Sequence, residues 1–203
     1  MVNRKKAGGL LLILAVPLLI LVFLELFGKQ HYAIPTDPAE AEGLSAEVPA
    51  GALGKQFAFS VPLLTVEREA VSEDSFLGEV LVVYYAPAAN SDTAQLILEK
   101  LTRVQDVFEQ DTLVRLLTVV PTTKLDSLSR LAQQYRVQSA GWKFLADTTQ
   151  EYLSAQRLPP PSNASTLLLV DQAQSVRGYY DGAQEKEIDR LVAETRILRY
   201  GVK

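Results

Sequence analysis

The sequence predicts an α/β domain, a central mixed sheet flanked by helices, carried behind an apolar N-terminal segment. Three observations lead there. Val80 to Tyr85 is an unbroken β-branched and aromatic run, as expected of a strand buried on both faces, and it stops at Ala-Pro-Ala-Ala-Asn-Ser-Asp-Thr. A helical pattern then begins near Ala94, and a second apolar run, Leu113 to Val120, repeats the strand-then-helix order. Third, Thr166 to Val170 and Ser175 to Tyr180 read as a hairpin closed by a last helix.

In chain order, a basic tail (1–6) with Arg4, Lys5 and Lys6 precedes an apolar stretch, 7–27, interrupted by Glu25 alone among charged residues. At about 1.5 Å per residue the stretch is roughly 31 Å long, enough for a transmembrane helix. A cleaved signal peptide would have a shorter apolar region followed by a small-x-small site; Glu-Leu-Phe-Gly-Lys-Gln follows here. The basic tail places the N-terminus in the cytoplasm. The expected topology is therefore a single-pass anchor in the cytoplasmic membrane with the C-terminal domain on the periplasmic side. His31 and Tyr32 would lie at the membrane interface. Residues 28–55, rich in Pro, Ala, Gly and acids, read as an extracytoplasmic linker.

The domain proper is expected over 56–203. Phe57, Phe59, Val61 and Leu63 alternate as in a strand, made an edge strand by Pro62. Val66 to Phe76 accommodates a hairpin and turn. After the central strand, Ile97, Leu101, Val104 and Phe108 recur at helical spacing, with Ser91, Asp92 or Thr93 as cap. Pro121-Thr-Thr ends the next strand and opens a helix with Leu125, Leu128, Leu131 and Tyr135 inward. Trp142 to Ala146 reads as extended, Asp147 to Arg157 as a short helix stopped by Pro159-Pro160-Pro161, and the final helix runs from about Ala183 to Leu198. Two parallel strands joined by a helical crossover, then an antiparallel hairpin and a closing helix, is the thioredoxin-like arrangement.

Composition narrows the chemistry sharply. The chain has no Cys, one His (His31) and one Met, the initiator. Disulfides, thiol nucleophiles and zinc knuckles are excluded, and the globular part lacks every soft ligand that selects copper(I). A net charge of -4 gives no reason to expect nucleic-acid binding. No cofactor is expected.

Several pieces, taken in order, resemble the Sco/SenC family of membrane-anchored thioredoxin-like proteins. They are Leu77-Gly-Glu-Val-Leu-Val-Val-Tyr-Tyr before the loop, Leu116 to Val120 followed by Pro121, Trp142-Lys-Phe-Leu, and Leu168-Leu-Val-Asp followed by Val176-Arg-Gly-Tyr-Tyr-Asp-Gly. The resemblance spans roughly Phe57 to Leu198. It implies a role in copper-site assembly of cytochrome c oxidase, resting in the family on a Cys-x-x-x-Cys and one His. Laid on this chain, the two cysteine positions fall on Ala88 and Asp92, and the His position falls near Asn163. The family's Asp-Pro-Asp-Gly turn is also altered, to Asp171-Gln-Ala-Gln. The fold implied by the resemblance survives the loss of the ligands; thiol exchange and copper delivery, which need thiolates, do not.

Asp92 reads as a helix cap stabilised by the helix dipole. Tyr84 and Tyr85 are expected to present one ring to the core and one to the loop. Tyr85, Pro87, Asn90 and Trp142 form a candidate partner-binding face, with core packing the competing role for the aromatics. Asp171, Arg177 and Asp181 are expected to form an ion pair around the hairpin, and the sequon Asn163-Ala-Ser is expected to carry no sugar. Three function classes follow: a non-catalytic, membrane-tethered interaction module bound to respiratory or assembly proteins; an enzyme of another type, disfavoured because no nucleophile–base pair is visible; or a copper chaperone with borrowed ligands. The first is the reading carried forward.

Overall fold

The computed structural model describes residues 16–17, 52–59, 61–135, 141–152 and 163–200. The chain forms two compact units, residues 1–33 and 34–203. In the first, Val16 and Pro17 are helical and exposed. The predicted span 7–27 otherwise lies outside the described residues, as do the basic tail and most of the linker. No helix among the described residues is long and apolar enough to cross a membrane.

The second unit is built on one seven-stranded mixed sheet. Its strands are β1 (Leu63–Thr65), β2 (Ala70–Val71), β3 (Val80–Tyr85), β4 (Val114–Pro121), β5 (Trp142–Asp147), β6 (Thr166–Val170) and β7 (Val176–Asp181). They lie in the order β2-β1-β5-β4-β3-β6-β7. Strands β3, β4 and β5 are mutually parallel, while β6 runs antiparallel to β3 with Tyr84 opposite Leu167. The carboxyl ends of β3, β4 and β5 and the start of β6 therefore meet at one pole of the sheet.

The continuous apolar run of β3 has its physical cause in this position. Val80, Val82 and Tyr84 face one layer, and Leu81 and Val83 face the other, all five being buried. Each aliphatic side chain buried this way contributes about 1.5–3 kcal/mol. The first layer is covered by α1 (Asp92–Val107), α2 (Leu125–Gln134) and α3 (Glu185–Tyr200), through Ile97, Leu98, Leu101 and Val104, Leu128, and Ile188 and Leu191 respectively. The second is covered by Ala52, Phe57, Phe59, Val61 and Leu63 and by Phe76 and Tyr152. Phe57, Phe59 and Phe76 meet edge to face there.

Several expectations are corrected. Phe57, Phe59 and Val61 do alternate inward, yet they form no strand. Only Gln56 makes an isolated bridge, to Ser175, and regular pairing starts at Leu63, after Pro62. The packed chain begins at Ala52, fully buried, and Gly54 donates to Val176 O at 2.8 Å. Asp147 ends β5 instead of opening a helix, and 148–150 bend away. Tyr152 is helical, and the remainder of that predicted helix, from 153, lies outside the described residues.

At the other end of β3, Leu77 and Gly78 make a tight turn in which Glu79 N–H donates to Phe76 O. Gly78 sits at φ +81, a left-handed conformation that glycine takes without a Cβ penalty.

Candidate functional site: the pole at the carboxyl ends of the parallel strands

The loop after β3 is fixed at both ends. Ala86 N–H donates to Val119 O of β4 at 2.9 Å, and Ser91 N–H to Ala88 O at 2.9 Å. Ser91 then starts α1, its Oγ accepting from Ala94 N–H at 3.2 Å. Asp92 is thus in the first turn of α1 beside the cap; the capping oxygen belongs to Ser91. Its carboxylate still faces the positive end of the helix dipole. Pro87, Ala88, Asn90 and Asp92 are exposed, and Ala89 leans on the core. The loop offers a methyl-rich, neutral surface ending in one carboxylate.

Asn163 is brought to the same pole by β6. Its turn is tied to β3 by Tyr84, whose hydroxyl donates to Ala164 O at 3.1 Å. Asn163 Oδ1 accepts from Ser165 N–H at 3.0 Å and from Thr166 Oγ1 at 2.9 Å. Ser165 Oγ lies 2.7 Å from the same Oδ1 and 2.5 Å from Asp181 Oδ1, so its single proton serves one of the two at a time. Asn163 is exposed, but its acceptor atom is committed to holding the turn.

Trp142 leaves the candidate partner face. It is fully buried in the helix-covered layer, and its Nε1 donates to Thr118 Oγ1 on the adjacent strand at 2.9 Å. The parity of β5 decides this, since Trp142, Phe144 and Ala146 point to one side. Tyr85 remains at the pole, half-buried on the opposite layer, stacked on Tyr152 with ring centroids 5.7 Å apart and 7° between planes.

A buried carboxylate not singled out from the sequence stands beside these rings. Asp147, fully buried, accepts from Thr149 Oγ1, Gln150 N–H and Tyr152 N–H at 2.9, 2.8 and 2.9 Å. Asp-Thr-Thr after an apolar strand was the signal available for such an Asx turn. These three bonds make Asp147 an anchor for Tyr152. Burial, reinforced by the Asp147 charge, pushes the phenols of Tyr85 and Tyr152 up; burial raises Tyr84 to about 12. All three stay protonated at neutral pH and act as hydrogen-bond donors or apolar surfaces.

The expected three-residue charge cluster of the hairpin separates into two. Arg177 pairs with Asp171 at 2.6 Å. Asp181 instead accepts from Ser165, Ala183 N–H and Gln184. Burial alone would push the Asp181 carboxyl up, but these hydrogen bonds and the charge of Lys100 bring it below its usual 3.8. A carboxyl lowered in the folded state contributes stability that is complete above the unfolded value and is lost as pH falls through the folded one. The stability gap between the parent and Asp181→Asn is therefore expected to be widest at neutral pH and to close below 3.8. Urea midpoints across that range measure it; a gap independent of pH would show that the carboxylate form is not favoured by folding.

No family model matches the chain, and no curated protein matches it. Solved structures do. BsSco, a member of the Sco family of cytochrome c oxidase assembly proteins, is 15% identical with a TM-score of 0.58, covering 71% of this chain and 95% of its own. A SCO1/SenC family lipoprotein from Bacillus anthracis is 16% identical, TM-score 0.57, covering 71% and 93%. Copper-bound ScoI from Arabidopsis thaliana is 15% identical, TM-score 0.54, covering 71% and 99%. At these identities the likeness establishes the fold: the thioredoxin-like sheet and helices of the Sco/SenC structures, as the sequence resemblance anticipated. The side chains standing at the resemblance's ligand positions do not fit copper(I). Ala88, Asp92 and Asn163 offer a methyl group, a hard carboxylate and an amide whose oxygen is already bonded.

Proposed function

We propose that this chain is a membrane-anchored, extracytoplasmic Sco-like module that acts without redox or copper chemistry, as an accessory in the biogenesis of respiratory cytochrome c oxidase. The observation that carries this reading is the combination of a Sco-like fold with Ala88, Asp92 and Asn163 at the three ligand positions, in a chain with no Cys. The strand, the loop anchor and the helix cap that would position a reactive group are kept, while the group itself is gone. A scaffold retained in this way supports a docking role for the pole carrying Tyr85, Pro87 and Asn90. The apolar run at 7–27 supplies the anchor in this reading, with the basic tail in the cytoplasm.

Mild-detergent purification of the intact protein from its native membranes tests it. Oxidase subunits or their assembly factors are expected to be enriched over a control domain carried on the same anchor. Equal recovery with both baits would remove the link to the oxidase and leave an anchored domain of this fold.

A further inference from the structure

A second surface lies between the β1–β2 hairpin and the first turns of α2. Strand β4 ends at Pro121, with Thr122 N–H bonded to Asp147 O at 3.1 Å, and the chain then enters α2. An open pocket of about 290 Å³ sits there, lined by Arg68, Thr123, Lys124, Leu125, Asp126, Ser127 and Arg130. Three cations and two hydroxyl side chains converge on it against one carboxylate.

These cations, like Lys55, Lys143, Lys186 and Arg196, are outside the ion pairs of the domain's described residues. Arg103, Arg115, Arg177, Arg190 and Arg199 are each ion-paired with Asp or Glu, as is Lys100. Arg68, Lys124 and Arg130 make no salt bridge among the described residues, and Arg130 uses only a 3.4 Å hydrogen bond to Asp126 O. Arg68 is also held in place. It occupies a left-handed conformation, φ 70, at the tip of the β1–β2 hairpin, where its N–H donates to Thr65 O at 3.0 Å. Thr65 N–H bonds Glu69 O across the same turn at 2.9 Å, and Thr65 Oγ1 accepts from Glu67 and Glu69 N–H. A residue other than glycine in this conformation costs about 1–2 kcal/mol. The turn therefore fixes the backbone from which this guanidinium reaches the pocket.

We infer that this pocket docks an acidic segment of a protein partner, its carboxylates meeting Arg68, Lys124 and Arg130. Charge complementarity carries the assignment: three cations in no salt bridge among the described residues line the pocket against one lining carboxylate, Asp126, in a chain of net charge -4. Asp126 at the wall favours singly charged carboxylates, spaced along a segment, over a compact dianion such as phosphate. The inference extends the docking role proposed above and does not depend on the partner's being an oxidase component.

The test uses the full chain in detergent micelles and a fluorescein-labelled hexaglutamate peptide, read by anisotropy. The combined variant Arg68→Glu, Lys124→Glu, Arg130→Glu is expected to weaken binding about tenfold or more, the equivalent of about 1.4 kcal/mol. Arg196→Glu, an exposed arginine on α3 outside the pocket, is expected to leave it unchanged. Urea midpoints establish that the variants fold, and the neutral set Arg68→Gln, Lys124→Gln, Arg130→Gln serves if the reversals do not. Equal weakening by Arg196→Glu, full binding by the combined variant, or displacement of the peptide by inorganic phosphate at matched ionic strength would each overturn the assignment. Any of these leaves the membrane purification result, and the accessory role it tests, standing.

Discussion

Trp142→Ala is expected to lower the stability of the domain by about 3–5 kcal/mol, the usual cost of truncating a buried Trp. Trp142 has no exposed surface and packs against Phe144 with ring centroids 5.3 Å apart. Its removal also leaves Thr118, itself fully buried, without the indole N–H it accepts. An orphaned buried hydroxyl costs about 1–3 kcal/mol. Domains of this size are stable by only about 5–15 kcal/mol, so the loss is a large share of the total. Urea denaturation measures it directly. Trp142→Phe is expected to fall between the two, keeping most of the volume while still orphaning Thr118, and adding Thr118→Val should recover part of the deficit. Because Trp142 is the sole Trp, its emission offers a second reading: blue-shifted and protected from aqueous quenchers in the folded protein. A stable Trp142→Ala with a solvent-like parent spectrum would return Trp142 to the binding face.

Gly182→Ala should be the next most damaging. A Cβ at Gly182 would lie 2.9 Å from Ser165 O and 2.9 Å from Ile97 Cδ1. The isoleucine can move by rotation, but the carbonyl cannot, because Gly182 N–H is bonded to that same oxygen at 2.9 Å. Relief requires the turn at Asn163 to Ser165 to shift, which strains the Ser165–Asp181 bond. Overpacking of this kind costs about 1–3 kcal/mol, and the weakened backbone hydrogen bond adds about 1 kcal/mol. Gly141→Ala is the control, since nothing lies within 4 Å of its added Cβ. Matching urea midpoints for the two variants would show that the turn yields freely.

Trp142 belongs to Trp-Lys-Phe-Leu and Gly182 closes Val176-Arg-Gly-Tyr-Tyr-Asp-Gly, both stretches that resemble the Sco/SenC family. Each is accounted for by packing: Gly178 leaves room for the ring of Tyr180, whose hydroxyl bonds Glu194 at 2.5 Å, and Arg177 pairs across the turn with Asp171. Such residues are required by the fold whether or not a metal is handled.

The sheet was legible because its signals are local. The run Val80–Tyr85 matches β3 residue for residue, and the 3.6 spacing of Ile97, Leu101 and Val104 marks α1. What escaped depends on parity and distance. Arg177 and Asp181 are four residues apart, near neighbours on a helix but about 13 Å apart along a strand, so Asp181 turns to Ser165 instead. A register irregularity between Leu169 and Val170 puts Val176 and Tyr179 in the same layer, which strict alternation forbids. Trp142 is compatible with core or surface from the sequence alone, because only the register of its strand to Leu116 fixes which side it faces. Of the site, the loop and its helix cap were readable; the Asp147–Tyr152 anchor was not, since it joins a buried carboxylate to a chain beyond the strand.

The central claim is that the pole carrying Ala86 to Asn90 is an interface kept without its chemistry. A photo-crosslinking residue placed at Asn90 of the intact protein, in its native membranes, tests it most directly, with one at Leu77, 62% exposed and at the opposite end of β3, as the comparison. The expected result is capture of cytochrome c oxidase subunits or their assembly factors from Asn90 and not from Leu77. Capture of the same proteins equally from both positions, or of none from Asn90, would contradict it.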